Sequence, residues 1–243
     1  MADDVYGDLV LAHLAAVGEH NAEALAEVAE LMLAGVRGGG LVLTAGAGHS
    51  LAAVAETFYR AGGLACVRPL FADELQVFGG ALRATAAERQ PGLAARVFAE
   101  VPLSGHDLLV VFSTSGINHY PVELAAAARA AGVPVVAVTS RSTSAQAAPR
   151  AGSRLFEHAT HVLDTLTGPG DVAYPPSAPV TSSLSTLANA YLWNQLLARL
   201  HDLAEAAGVV LPRWRSSNSE GGDEANQQYF GVYGPRVPHL GTG

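Results

Sequence analysis

Two short runs rich in glycine and hydroxyl side chains carry the chemistry most readily read from this chain. Gly46, Ala47, Gly48, His49 and Ser50 directly follow the apolar run at residues 41–45. Ser113, Thr114, Ser115, Gly116, Ile117 and Asn118 follow a second apolar run, Leu108, Leu109, Val110, Val111 and Phe112. Glycines let the backbone approach a ligand closely, and a helix opening on such a loop offers unbonded N–H groups and a partial positive charge to an anion. A single loop of this kind is equally an ordinary turn or a helix cap. Thr139 and Ser140 end a further apolar run, and hydroxyls at three strand ends point to phosphate binding. Leu51 stands where a dinucleotide fingerprint needs its last glycine, and no Gly-Lys-Ser/Thr of a P-loop is present.

His49 and Glu56 are seven residues apart, about two helical turns, which predicts that both lie on one face of a helix. Glu56 is also four residues before Arg60, a spacing that supports a plain surface ion pair. The single cysteine, Cys66, sits in the apolar run Leu64, Ala65, Cys66, Val67 and reads as a small buried hydrophobe. The nine histidines show no spacing with acidic residues that makes a metal site, and His158 and His161 are read as structural or interfacial. No metal is expected.

These groups need a scaffold. Apolar, partly β-branched runs alternate with helical patterns, which predicts an α/β fold: a doubly wound, mostly parallel sheet flanked by helices. Ligands bind such sheets beyond the carboxyl ends of the strands, where both loops fall. The spacing predicts helix over residues 4–36, with Gly18 as a candidate break, and a strand at 41–45. A helix is expected at 50–60 and a strand at 64–67 that Pro69 stops. Residues 71–100 read as loops with one or two helices. Strands follow at 107–112, 133–138 and 161–164, with helices at 121–131 and 183–207. The expected organisation is an N-terminal helical segment (1–40), a binding domain (41–207) and a C-terminal extension (208–243). That extension holds Trp214, Tyr229, Phe230 and Tyr233, too many aromatics for a disordered tail, and is read as an ordered wrap or subunit contact.

The 243 residues carry 49% apolar side chains and a net charge of −8. Such a charge argues against nucleic-acid binding, which depends on cationic neutralisation of phosphates. No apolar stretch is long enough to cross a membrane. The acidic N-terminus does not read as a secretory signal, so a cytoplasmic protein is expected.

The two loops resemble the phosphosugar-binding motifs G-x-G-x-S and S-x-S-G-x-[ST] of sugar isomerase (SIS) domains. The resemblance spans roughly residues 41–200 and the preceding helix. The tail, with Ser217, Asn218 and Asn226, resembles that of a little-characterised sugar-isomerase-like subfamily. It implies that Ser113, Thr114, Ser115 and Asn118 hold a sugar 6-phosphate, with Gly48, Ser50 and Ser140 beside it. Asn118 stands where the motif has Ser or Thr, and His49 where Thr is usual. In the related N-acetylmuramic acid 6-phosphate etherases, glutamates in two corresponding regions do chemistry. That implies Glu56 and Glu88 as catalytic carboxylates, Glu74 as the next candidate, and His49 as an orienting or acid–base group. Gln195, Ser182, Ser183 and Ser185, near or on the late helix, are candidates to complete the pocket with a partner subunit in a homodimer. No cofactor is implied. Three activities are open: β-elimination from an N-acetylamino-sugar 6-phosphate, with N-acetylglucosamine 6-phosphate favoured; aldose–ketose isomerisation; and sugar-phosphate sensing without catalysis.

Overall fold

The computed structural model describes residues 4–241. Its five strands, β1 (Val42–Gly46), β2 (Val67–Leu70), β3 (Leu108–Phe112), β4 (Val135–Thr139) and β5 (His161–Asp164), form one sheet ordered β2-β1-β3-β4-β5. Every pairing is parallel. Strands β1, β3 and β4 are buried along their whole length, as near-continuous Val/Leu runs require when helices cover both faces. The chain reverses its direction of winding between β1 and β3, and β1's last residue, Gly46, lies beside β3's last, Phe112. The loops that leave these two strands therefore start side by side at the switch point of the sheet, where parallel α/β folds bind ligands.

The N-terminal helical pattern resolves into α1 (Val5–His20) and α2 (Ala22–Arg37). The break falls at Asn21, not at the expected Gly18. Gly18 stays helical, and a side chain there would meet the Tyr191 hydroxyl at 2.6 Å, so close packing, not chain reversal, is what needs the glycine. Asn21 is buried, and its carboxamide donates to the carbonyls of Val17 (2.7 Å) and Asp164 (2.8 Å) and accepts from the Asp164 N–H (2.7 Å). The hairpin of helices is thereby tied to the end of β5. The long helix α9 (Ser185–Ala206) packs against α2 and buries Leu192, Trp193, Leu196 and Leu200.

Pro69 does not stop the second strand; it lies inside β2, opposite Thr44. Because β2 is an edge strand, the missing N–H faces no partner strand, the position in which proline is tolerated. Residues 62–65 serve instead as a short antiparallel edge for the C-terminal extension: Ala65 N–H donates to the Pro212 carbonyl (2.8 Å), and Trp214 N–H to that of Gly63 (2.9 Å).

Between β2 and β3 lie α4 (Ala81–Arg89) and α5 (Leu93–Ala99), and α6 (His119–Ala130) follows β3. Short helices α7 (Arg141–Gln146) and α8 (Leu155–His158) join β4 to β5. The extension contains a helix the pattern did not predict, α10 (Gly222–Tyr233). Its aromatic side chains gather on the buried Trp214, with the rings of Tyr59, Tyr229 and Phe230 4.9, 5.6 and 5.3 Å away. Beyond α10, one guanidinium nitrogen of Arg236 bridges both carboxylate oxygens of Asp107 (2.8 and 3.0 Å), whose side chain is fully buried.

Candidate active site

The first loop opens with Gly46, where any side chain would strike the Ser50 backbone at 2.9 Å. Gly48 has φ +57°, a left-handed conformation that favours glycine. Residues Gly48–Ser50 form a 3-10 turn ahead of α3 (Leu51–Thr57), shorter than the predicted helix over 50–60. Over seven residues such a turn leaves His49 and Glu56 still roughly on one side of the helix, yet the two line different cavities. His49 is exposed and lines a cavity of about 600 Å³ with Gly48, whereas Glu56 faces a separate cavity beside Trp193 and His201. There Glu56 pairs with Arg60 (2.8 Å) and accepts from Asn194 at 3.4 Å.

The second loop turns at Gly116, also at φ +57°, where an added Cβ would lie 3.1 Å from both the Ser144 and Thr139 hydroxyls. The Ser113 hydroxyl accepts from the Gly116 N–H (3.2 Å), and the Thr139 hydroxyl and Ser140 N–H both donate to the Thr114 carbonyl (3.2 and 3.1 Å). The loop is thus braced from β4, while Thr114 and Ser115 remain half-buried. Ser140, expected at the phosphate, is fully buried; its hydroxyl donates to the Thr167 carbonyl (2.7 Å) and caps α7 through Thr143 N–H. Its place in this chain is to hold the loop.

Glu88, on the last turn of α4, reaches the mouth between the loops. One of its oxygens accepts from the Asn118 carboxamide at 2.7 Å, and the other lies 4.0 Å from where a Gly48 Cβ would stand. The Asn118 carbonyl oxygen accepts from Arg150 at 2.6 Å. Asn118 therefore spends both ends of its side chain on a Glu88–Asn118–Arg150 chain instead of turning them to a ligand. Sequence reasoning missed Arg150, because nothing in the loop around Pro149 marks it and its partner is 32 residues away. The guanidinium supplies a positive charge beside the hydroxyl loop, and the free amides at the start of α6 supply a second attraction for an anion. Glu74 pairs instead with Arg96 (2.5 Å). Ser185 is held by the Asp171 carboxylate at the head of α9, where Asp171 also accepts from the backbone N–H of Leu184 (3.1 Å) and Ser185 (2.9 Å). No cluster of three or more potential metal-ligating side chains occurs among the described residues, and none of their helices is long and apolar enough to cross a membrane.

A parallel α/β sheet with braced, glycine-turned loops at its switch point, and a cation and one carboxylate between them, defines an α/β fold of the class that carries its ligand site at the strand ends. The chain belongs to the SIS domain family, whose model matches residues 5–140. It is 33% identical over 235 residues to UPF0309 protein GK1441 of Geobacillus kaustophilus, covering 95% of this chain and 94% of that protein. It is also 34% identical over 241 residues to UPF0309 protein SCO4393 of Streptomyces coelicolor, with coverage of 95% and 94%. Among solved structures, a phosphoheptose isomerase from Francisella tularensis is similar in fold, with a TM-score of 0.56 and 19% identity over 81% of this chain and 95% of that one.

Proposed function

We propose that this is a cytoplasmic, homodimeric enzyme that binds a phosphorylated amino sugar and eliminates the C3 substituent of an N-acetylamino-sugar 6-phosphate, with N-acetylglucosamine 6-phosphate as the favoured substrate. The observation that carries the reading is the Glu88 carboxylate, held at the Asn118 amide beside Gly48, at the switch point of the sheet. The amides and hydroxyls at residues 113–116, with Arg150, bind the 6-phosphate. Glu88 takes the C2 proton of the open-chain sugar, which the C1 carbonyl acidifies. The electrons of that C–H bond form the C2–C3 double bond, and the C3–O bond breaks. His49 gives a proton to the departing oxygen, so that a C3 hydroxyl leaves as water. An acetamido group on C2 cannot become a ketone oxygen, which closes the isomerisation route and leaves elimination open.

Aldose–ketose isomerisation is the second reading. It is favoured by the position of Glu56, which pairs with Arg60 in another cavity: one carboxylate suffices to pass a proton between C1 and C2. In the elimination reading Glu56 takes part from the facing subunit. The exposed Phe78 and Leu82 support a subunit contact on this side of the molecule.

Incubation with N-acetylglucosamine 6-phosphate should yield an ultraviolet-absorbing unsaturated sugar. Glu88→Gln should keep binding and lose about 10²–10⁴ of the rate, the usual worth of a general base. Interconversion of an aldose and a ketose phosphate, with the acetamido sugar untouched, would establish the isomerase instead. Binding without turnover of any phosphosugar would leave a sensor.

A further inference from the structure

The cavity that begins at Gly48 and His49 is closed on its far side by His239, a residue from the C-terminal extension. At about 600 Å³ it falls within the size range of small-molecule sites. Its walls are mostly apolar, including Phe58 and Phe71, and the side chains with hydrogen-bonding capacity are those of His49, Gln76 and His239. The His239 ring, partly covered and partly open to solvent, stands edge-on to Phe58 and Phe71, each 6.4 Å away between ring centres.

Three features fix His239 in place. Arg236 is clamped on the buried Asp107 carboxylate, and its own carbonyl accepts from Arg68 on β2 at 2.6 Å. Val237 is fully buried. Residues Pro238–Leu240 form a 3-10 turn that begins with the φ-restricted proline. A side chain so held is pre-organised, which lowers the entropic cost of contacting a ligand.

We propose that His239 is a specificity-determining residue that, with Gln76, binds the acyl-amino group of the sugar whose phosphate sits at the neighbouring loops. The inference rests on the phosphosugar reading above and adds to it where the acyl group goes. An acylamide presents one N–H donor, one carbonyl acceptor and a methyl group. The Gln76 carboxamide and a neutral imidazole each offer one acceptor and a donor, and the two phenyl rings offer apolar surface to the methyl. Partial burial, and then the charge of Arg68, hold the His239 pKa below its ordinary value, against an opposing pull from Asp73; this favours the neutral imidazole, which has both functions.

The test is calorimetric binding of N-acetylglucosamine 6-phosphate and of glucosamine 6-phosphate, which lacks the acyl group, to wild type, His239→Ala and His239→Gln. The expected result is about a tenfold loss of affinity for the acylated sugar in His239→Ala, one hydrogen bond's worth. Affinity for glucosamine 6-phosphate should change less than about twofold, within the effect of a lost peripheral contact. His239→Gln, which keeps a donor and an acceptor, should recover part of the loss. Equal losses for both sugars, or no loss for either, would overturn the role of His239 and leave phosphosugar binding standing. Failure of wild type to bind either sugar would overturn both.

Discussion

Replacing Arg236 with alanine tests whether the C-terminal extension is a structural part of the domain. The wild-type Asp107 carboxylate is fully buried and accepts from Leu41 N–H (2.7 Å), Ser104 N–H (2.7 Å), the Ser104 hydroxyl (2.7 Å) and, on both oxygens, from one guanidinium nitrogen of Arg236. Burial pushes its pKa up, but these donors outweigh that and hold it below the usual carboxylate value. Arg236→Ala removes the cation bonded to the carboxylate and leaves the other donors. Breaking a buried pair costs about 3–5 kcal/mol, and a hydrogen bond to a charged group is worth about 1.5–3. Because the Arg236 side chain is itself 26% exposed, the lower end applies, about 3 kcal/mol. For a chain of 243 residues that is a fall in Tm of roughly 6–12 °C. The sign of the pH dependence follows from the depressed pKa. The stabilisation is fully present above the unfolded carboxylate pKa of about 3.9 and disappears as pH falls through the lower folded value. Calorimetric melts of wild type and variant at pH 7 and along an acid series measure both quantities. A fall of less than about 2 °C at pH 7, or a gap that does not narrow in acid, would refute the reasoning.

Three further outcomes are expected. Gly116→Ala places a Cβ 3.1 Å from the Thr139 and Ser144 hydroxyls at φ +57° and should cost about 1–3 kcal/mol in urea unfolding, together with weaker phosphosugar binding. Gly132→Ala, at φ +77° with open space around it, should cost only the backbone strain of about 1 kcal/mol. The Cys66 thiol, pushed up to about 12 by burial, should resist a disulfide reagent at pH 8 in the folded protein and react promptly once the chain is unfolded; rapid labelling of the native state would contradict its burial.

The parallel sheet was legible because fully buried strands such as Leu108–Phe112 are written as unbroken apolar runs, and the turn glycines mark where they end. The two loops were legible for the same reason: Gly48 and Gly116 are required by backbone conformation, which a sequence records directly. What escaped depends on tertiary position. Pro69 reads as a strand stop unless β2 is known to be an edge. The separation of His49 from Glu56 follows from what packs around α3, with α9 beside Glu56 and the segment after β2 beside His49, which no periodicity announces. Helix α10 is short and polar in its first turns and carries Gly231 within it; the rings of Tyr229 and Phe230 pack on Trp214. Arg150 and His239 reach the site from loops distant in the chain, where an arginine after a proline, or a histidine after one, has no local signature.

The C-terminal extension also bears on how the protein is made. Residues 62–68, which it covers through Pro212, Trp214 and Arg236, are synthesised well over a hundred residues earlier. During translation the sheet is able to form while the outer side of β2 is bare, and an open strand edge is a template for pairing with other chains. Pro69 within that strand removes one of the donors such pairing would use. The same proline that reads as a strand stop thus makes the bare edge of β2 a poorer template for pairing before its cover is made.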